Sequence, residues 1–299
     1  MSVESCTAFL RVARQDARVR QQMKAMTGIA EVIRLGRVHG YRFDDRDLMM
    51  ASSSAAADDE GGGEREPEPA PPADAATAFY HYEYDMERIP GFAAVIEELP
   101  KLKIKPDTVD LARFDERFRL EDLRSTSMVP GGSDHRRWRA GLDAQVDRET
   151  RRDFHLINLD DHVGHAAYEE YFAAKTRLVD ALEDVFGGEV RFSGSMWYPP
   201  SGYRLWHTNE TQPGWRMYLI DFDEDFDDPQ HTSFFRYLHP DTGELVTLRE
   251  RPRLVRFFKI EQDPERLFWH CIVNPTRRHR WSFGFNVPGT WLDDLAGLS

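Results

Sequence analysis

Trp206-His207-Thr208-Asn209-Glu210 and, 63 residues later, Phe268-Trp269-His270-Cys271 are the stretches on which the reading of this chain turns. Two imidazoles from distant strands, with an oxygen donor two residues after the first, make a three-sided metal face. That face leaves coordination positions open, and its donor set suits non-haem iron(II). Arg280 follows the second histidine by ten residues and Ser282 by twelve. An arginine at that strand spacing presents the two-pronged N–H fork that matches a carboxylate. Residue 209 is asparagine, which offers a neutral amide oxygen where such a face ordinarily carries an anionic aspartate. A lone histidine in apolar surroundings is usually a core residue. The pair with its arginine is what points to metal. His231, His239 and His279 have no such support and read as surface residues.

Outward from the histidines, short strand candidates recur between turn signals. They are Val190-Arg191-Phe192, Arg216 to Ile220, Thr232 to Tyr237, Leu254 to Phe258 and Arg280 to Val287. Gln212-Pro213-Gly214 and Pro240-Asp241-Thr242-Gly243 are the turns. Tyr168 to Phe186 carries apolar residues at Phe172, Leu178, Leu182, Val185 and Phe186 and stops at Gly187-Gly188, which predicts an amphipathic helix. The class is α+β, and regular short strands suggest a sandwich or jelly-roll barrel whose mouth suits a small ligand. The acidic run Asp221 to Asp228 lacks the glycine and spaced terminal glutamate of a calcium loop and reads as a solvated connection. Arg136-Arg137-Trp138-Arg139 reads as a solvated loop. Cys271, next to a histidine on a strand, faces the other way and reads as core. Trp206, Trp215 and Trp269 read as packing around the metal region.

Composition bounds the function. The 299 residues carry a net charge of −13, which disfavours a nucleic-acid partner, since a duplex binder needs a basic face. With 40% hydrophobic residues and a mean hydropathy of −0.61, nothing approaches the ~20 apolar residues of a membrane span. The opening Met1-Ser2-Val3-Glu4-Ser5-Cys6 has no basic region followed by an apolar core, so no secretory signal is expected. Cys6 and Cys271 are the two cysteines, too few for a disulfide framework, and a reducing cytoplasm is the expected compartment.

Residues 1–51 read as a small all-α domain. Phe9, Val12 and Ala13 form one apolar stripe and Met26, Ile29 and Ile33 another, while Asp44-Asp45-Arg46-Asp47 offers caps for a short last helix ending at Met50. Residues 52–77 run through Ser-Ser-Ser-Ala-Ala-Ala into acids, glycines and prolines, the composition of a disordered linker. Residues 78–299 form the main domain. The first block resembles the Nif11 domain, through Ser5, Phe9-Leu10, Asp16, Glu31, Leu35-Gly36 and above all His39-Gly40-Tyr41-Arg42-Phe43-Asp44. That family implies a recognition element, or a leader, in the maturation of ribosomally made peptides. A partner enzyme or a peptide would dock on it, and a flexible tether would raise local concentration.

The main domain resembles the 2-oxoglutarate-dependent Fe(II) oxygenases of the prolyl-4-hydroxylase-like kind over about residues 190 to 288. The matching features are Tyr198 and Gly202 before His207, Pro213 to Leu219 after it, Ser233-Phe234-Phe235, and then His270, Arg280 and Ser282. The resemblance implies a double-stranded β-helix (jelly-roll) barrel with flanking helices. It implies iron(II) at His207, Asn209 and His270, and 2-oxoglutarate held by Arg280 with Ser282, Tyr198 and Tyr218. O2 would be the oxidant in the hydroxylation of a peptide or protein side chain. The third metal position stays open between Asn209, Glu210 and a water. Loss of the carboxylate also leaves room for an anion on the metal, as in the related halogenases, or marks a non-catalytic barrel that serves as a peptide-binding adaptor.

Overall fold

The computed structural model describes residues 2–58, 80–145 and 153–297, with the side chains of 53–58 and 142–145 left aside. The chain divides into two compact units, Met1–Phe79 and Tyr80–Ser299.

The small unit holds α1 (Val3–Gln15), α2 (Ala17–Lys24), α3 (Ile29–Val38) and α4 (Asp45–Asp58). Its helix starts are capped by short polar side chains. Ser2 accepts the Ser5 N–H, and Asp16 accepts those of Arg18 and Val19. The buried Glu31 carboxylate turns back to the N–H groups of Thr27 and Gly28, the glutamate half of a capping box. Asp44 and Asp47 each accept the other's backbone N–H at the start of α4. Cys6, Phe9, Ala13, Val19, Leu35 and Phe43 fill the core. A Cβ on Gly36 would lie 2.3 Å from the Phe43 ring, so the Gly36 and Phe43 of the Nif11-like motif are two halves of one contact. The last helix does not end at Met50. It continues to Asp58, because Ser-Ser-Ser-Ala-Ala-Ala ends in the strongest helix former. The rest of the expected linker, from residue 59 on, lies outside the described residues.

The large unit opens with β1 (His81–Asp85), α5 (Ala93–Leu102), α6 (Leu111–Glu116), α7 (Leu120–Leu123), α8 (Ser133–Gln145), β2 (Phe154–His155) and β3 (Ile157–Asn158). Then come α9 (Tyr168–Phe186), β4 (Arg191–Tyr198), β5 (Tyr203–His207), β6 (Gly214–Phe222) and β7 (Phe234–Leu238). The chain continues through β8 (Leu245–Arg249), β9 (Leu254–Ile260), β10 (His270–Val273), β11 (Arg280–Val287) and α10 (Trp291–Gly297). The predicted helix and the predicted last strand have the expected bounds. α9 buries Tyr171, Ala174, Leu178, Leu182, Val185 and Phe186, packs against α5, and ends at Gly187 in the left-handed conformation (φ 59°). The arginine cluster at 136–139 is helical in α8 rather than a loop. β4 runs on past Phe192 through Ser193-Gly194-Ser195 to Tyr198, a stretch without the apolar alternation that marks a strand.

The strands form a six-stranded sheet in the order β1-β9-β6-β11-β4-β3 and a five-stranded sheet in the order β2-β5-β10-β7-β8. Every pairing is antiparallel. From β4 onward the chain steps from one sheet to the other at each strand, except at the β7–β8 hairpin. That winding is a double-stranded β-helix, a jelly-roll barrel. One apolar cluster closes it: Tyr198 and Phe258 from the first sheet pack with Phe235, Tyr237 and Ile272 from the second.

Candidate metal centre

β5 and β10 pair so that His207 lies directly across from His270, with ring centroids 4.0 Å apart. Going on from that pair, Ile272 is opposite Arg204 and not Leu205. β5 therefore carries one residue more than β10 between the two pairs, a β-bulge. Its consequence is geometric. Strand alternation would send Arg204 and His207, three residues apart, to opposite faces. The bulge absorbs one step and turns both toward the barrel interior, while Leu205 packs outside with Tyr203 and Val273 and the Trp206 indole donates to the Ser125 carbonyl at 2.7 Å.

Both imidazoles are oriented by backbone carbonyls. His207 Nδ1 donates to Leu205 O at 2.8 Å and His270 Nδ1 to Phe268 O at 2.9 Å, which leaves Nε2 of each ring as the lone-pair nitrogen. His207 Nε2 is buried and has no hydrogen-bond partner. Phe235 stacks on His270 at 5.3 Å. Burial, helped by Arg204, Arg216 and Arg256, pushes His270 down to about 3; burial, then Arg204 and His270 itself, hold His207 well below the usual histidine range. Both rings are neutral at physiological pH, as a metal donor must be.

Asn209 reaches the same place. Its Nδ2 lies 3.4 Å from His270 Nε2 and its Oδ1 3.5 Å from Arg204 Nη2. Half a turn of the amide exchanges oxygen and nitrogen and sets the oxygen beside the imidazole. Glu210 accepts the Thr208 hydroxyl and faces an outer cleft of about 490 Å3, which is also lined by His135, Phe154, Trp206, His207 and Trp269. Among the described residues no group of three or more His, Cys, Asp and Glu side chains could hold a metal. Two imidazole Nε2 atoms with free lone pairs and the neutral Asn209 amide thus meet in one place.

The expected co-substrate fork is differently employed. Arg280 is fully buried, and its Nε and Nη2 donate to the two carboxylate oxygens of Glu250 at 2.6 and 2.8 Å. Glu250, buried as well, also accepts from Arg256 Nη1 at 2.8 Å and from Ser233 Oγ at 2.5 Å. Despite burial, the two arginines and the serine hold the Glu250 carboxyl down at about 2, so it stays ionised. Arg280, expected to grip a dicarboxylate, gives Nε and Nη2 to the carboxylate of Glu250 and keeps Nη1 buried without a hydrogen-bond partner. Ser282, Tyr198 and Tyr218 do come together, with Arg204, around a cavity of about 20 Å3, room for one water. Arg280 stacks on the Tyr198 ring at 4.7 Å, and burial raises the Tyr198 hydroxyl to about 12.

Three residues beyond those expected shape the site: Arg204, Glu250 and Asn274. The buried Asn274 amide donates to Tyr198 O, Pro199 O and Arg278 O and so ties the β4–β5 turn to the β10–β11 connection. In that turn a Cβ on Gly202 would meet Pro199 O at 2.8 Å, which explains the glycine of the motif. His279 is half-buried and accepts the Trp197 indole N–H at 3.0 Å, and His239 packs edge-on to Tyr80, so neither is a plain surface residue. His231 is exposed, as expected, and Cys271 is buried, its thiol pushed up to about 12.

Residues 1–48 are a Nif11 domain. The Nif11 family model ends before α4 does, and no curated protein matches the chain. Among solved structures, a Pseudomonas putida prolyl-4-hydroxylase is 14% identical, with 70% of this chain and 93% of that one covered at a TM-score of 0.34. A rice dioxygenase for auxin oxidation is 13% identical over 71% of this chain and 78% of that one, at 0.34. A Burkholderia pseudomallei protein of the 2OG-Fe(II) oxygenase family is 11% identical over 61% and 94%, at 0.27. These overlaps are partial, and the reading of the site rests on its own geometry.

Proposed function

We infer that the jelly-roll unit is an iron(II)-dependent oxygenase that oxidises a side chain of a peptide or protein, and that the Nif11 domain is its recognition element in peptide maturation. One observation carries the inference: two neutral imidazoles directly across a strand pair, each oriented by a backbone carbonyl and each keeping a lone pair on Nε2. Iron(II) held there would supply oxygen activation with O2 and a 2-oxo acid co-substrate such as 2-oxoglutarate. The chain's own residues do the rest. The Leu205 and Phe268 carbonyls fix the donor nitrogens, Phe235 and Phe268 keep water from the His270 side, and the cleft beside His207 is wide enough for a side chain. Its aromatic walls (Phe154, Trp206 and Trp269) suit a peptide segment. The net charge of −13 supports a partner other than nucleic acid, and no helix among the described residues is long and apolar enough to cross a membrane.

A second reading, a barrel that binds peptide without turnover, is favoured by the Glu250 carboxylate on Arg280 and by the neutral Asn209. Two measurements decide. Anaerobic iron(II) titration of the full chain should show one site that His207→Ala and His270→Ala each abolish, with the circular dichroism of the wild type retained. Succinate release from 2-oxoglutarate in the presence of iron(II) and ascorbate should follow. Iron binding without succinate release selects the adaptor, and iron binding that survives both alanine variants removes the site.

A further inference from the structure

We propose that the anchor for the co-substrate's carboxylate is Arg204, the arginine that the β5 bulge turns inward, and not Arg280. The proposal rests on the oxygenase reading above. Arg280 has given Nε and Nη2 to Glu250 and keeps only Nη1, which is buried without a hydrogen-bond partner. Arg204 has given neither to a carboxylate: its Nε is buried without a hydrogen-bond partner, its one polar side-chain contact is the 3.5 Å approach of Nη2 to the neutral Asn209 oxygen, and among the described residues no carboxylate pairs with it. An unpaired guanidinium this enclosed favours an anion.

Its position supplies the rest. Arg204 is in the lining of the small cavity together with Tyr198, Tyr218 and Ser282, three hydroxyls that can donate to a carboxylate. On its other side its guanidinium covers the Phe154 ring at 5.2 Å, and Phe154 and His207 both line the outer cleft. The 20 Å3 cavity has no room for a five-carbon acid, so the carboxylate meets Arg204 and the side chains around the cavity part to admit the rest of the ligand. The charges agree with this placement. The usual face brings one carboxylate to the metal; here residue 209 is neutral and Arg204 adds a cation beside both histidines, so an incoming anion is drawn to that spot. The ligand class is a short 2-oxo acid, with 2-oxoglutarate as the dicarboxylate member and pyruvate as the monocarboxylate one.

The test is binding. The full chain is titrated anaerobically with 2-oxoglutarate and with pyruvate, with and without iron(II), while its intrinsic tryptophan emission is followed. Arg204→Leu should weaken binding by about ten- to a hundred-fold, the range of a charge-assisted pair, and Arg204→Lys should recover part of it. The Glu250→Leu/Arg280→Leu double variant removes both partners of the buried pair, leaves Arg256 its contact with Glu83, and should bind as the wild type does. Unchanged binding in Arg204→Leu, or binding lost in a folded double variant, overturns the proposal. So does a wild type that binds iron(II) but neither acid, an outcome that leaves the metal reading standing. A wild type that binds no iron(II) removes the metal reading, and the metal-free titration then decides on Arg204 alone.

Discussion

Asn209 and His155 make the residue-scale cases. The amide of Asn209 already lies 3.4 Å from His270 Nε2, so a carboxylate in its place needs no new backbone path to reach a metal there. Asn209→Asp is expected to tighten iron(II) binding and to lessen its dependence on added 2-oxo acid, measured by anaerobic titration; unchanged affinity would pass the third position to Glu210 or water. His155 stacks on Phe114 at 3.8 Å, and burial with the nearby Arg117 and Arg119 pushes it down to about 4. Its neutral form belongs to the fold and its charged form to the unfolded chain. That contribution is intact above about 6.5 and falls as the pH drops from there toward 4, by about 1.4 kcal/mol per unit. Urea unfolding at pH 7 and pH 5 should show the loss, and His155→Phe should reduce it. That His207 and His270 belong together was legible in the sequence, because two histidines and an arginine at fixed offsets are a pattern in one dimension, and the two rings do face each other. Glu250 was not: nothing in the residues around it marks it as the partner of an arginine 30 positions on.

At the scale of elements, a one-residue bulge and a buried ion cluster shape the barrel interior. The cluster of Glu250, Arg280, Arg256 and Ser233 joins the start of β9 to β11 within the interior. Removing only the anion leaves Arg280 buried without compensation, so Glu250→Ala should cost about 3–5 kcal/mol in urea unfolding. The Leu/Leu double variant should cost much less, and equal losses in the two would contradict this account. Period-2 patterning found the long strands, β6, β9 and β11, whose apolar runs declare themselves. It passed over β5 and β10, which carry the histidines. β10 is four residues long, and in β5 the bulge breaks the alternation that a reader of sequence relies on. Arg204 was hidden for the same reason, since an odd separation from His207 assigns it to the wrong face.

For the whole molecule, the division at Phe79 and Tyr80 implies that each unit keeps its own core. A chain lacking residues 1–77 is expected to fold, to bind iron(II), and to keep 2-oxo acid turnover uncoupled from peptide, while its rate on a full-length peptide at sub-saturating concentration falls. An insoluble truncation would mean shared packing, and equal peptide rates would remove the Nif11 domain from recognition. The jelly-roll winding follows from strand order; the strand candidates alone left it open beside a sandwich, and the family resemblance pointed to the winding that is found. The short helices α6 and α7 were not foreseeable, because Leu111–Glu116 and Leu120–Leu123 are too short to show a period.

The same winding sets a timetable during synthesis. β4 finds its partner in β11 and β5 in β10, so the strands that open the barrel wait for the strands that close it. Contacts of such long sequence separation are slow to form, whereas the helices of the Nif11 domain close among near neighbours. On the ribosome the Nif11 domain is therefore folded while the strand bearing His270 has yet to be made. The small unit is thus available to a partner before the barrel closes, and the facing of His207 and His270 is among the last features of the chain to come into being.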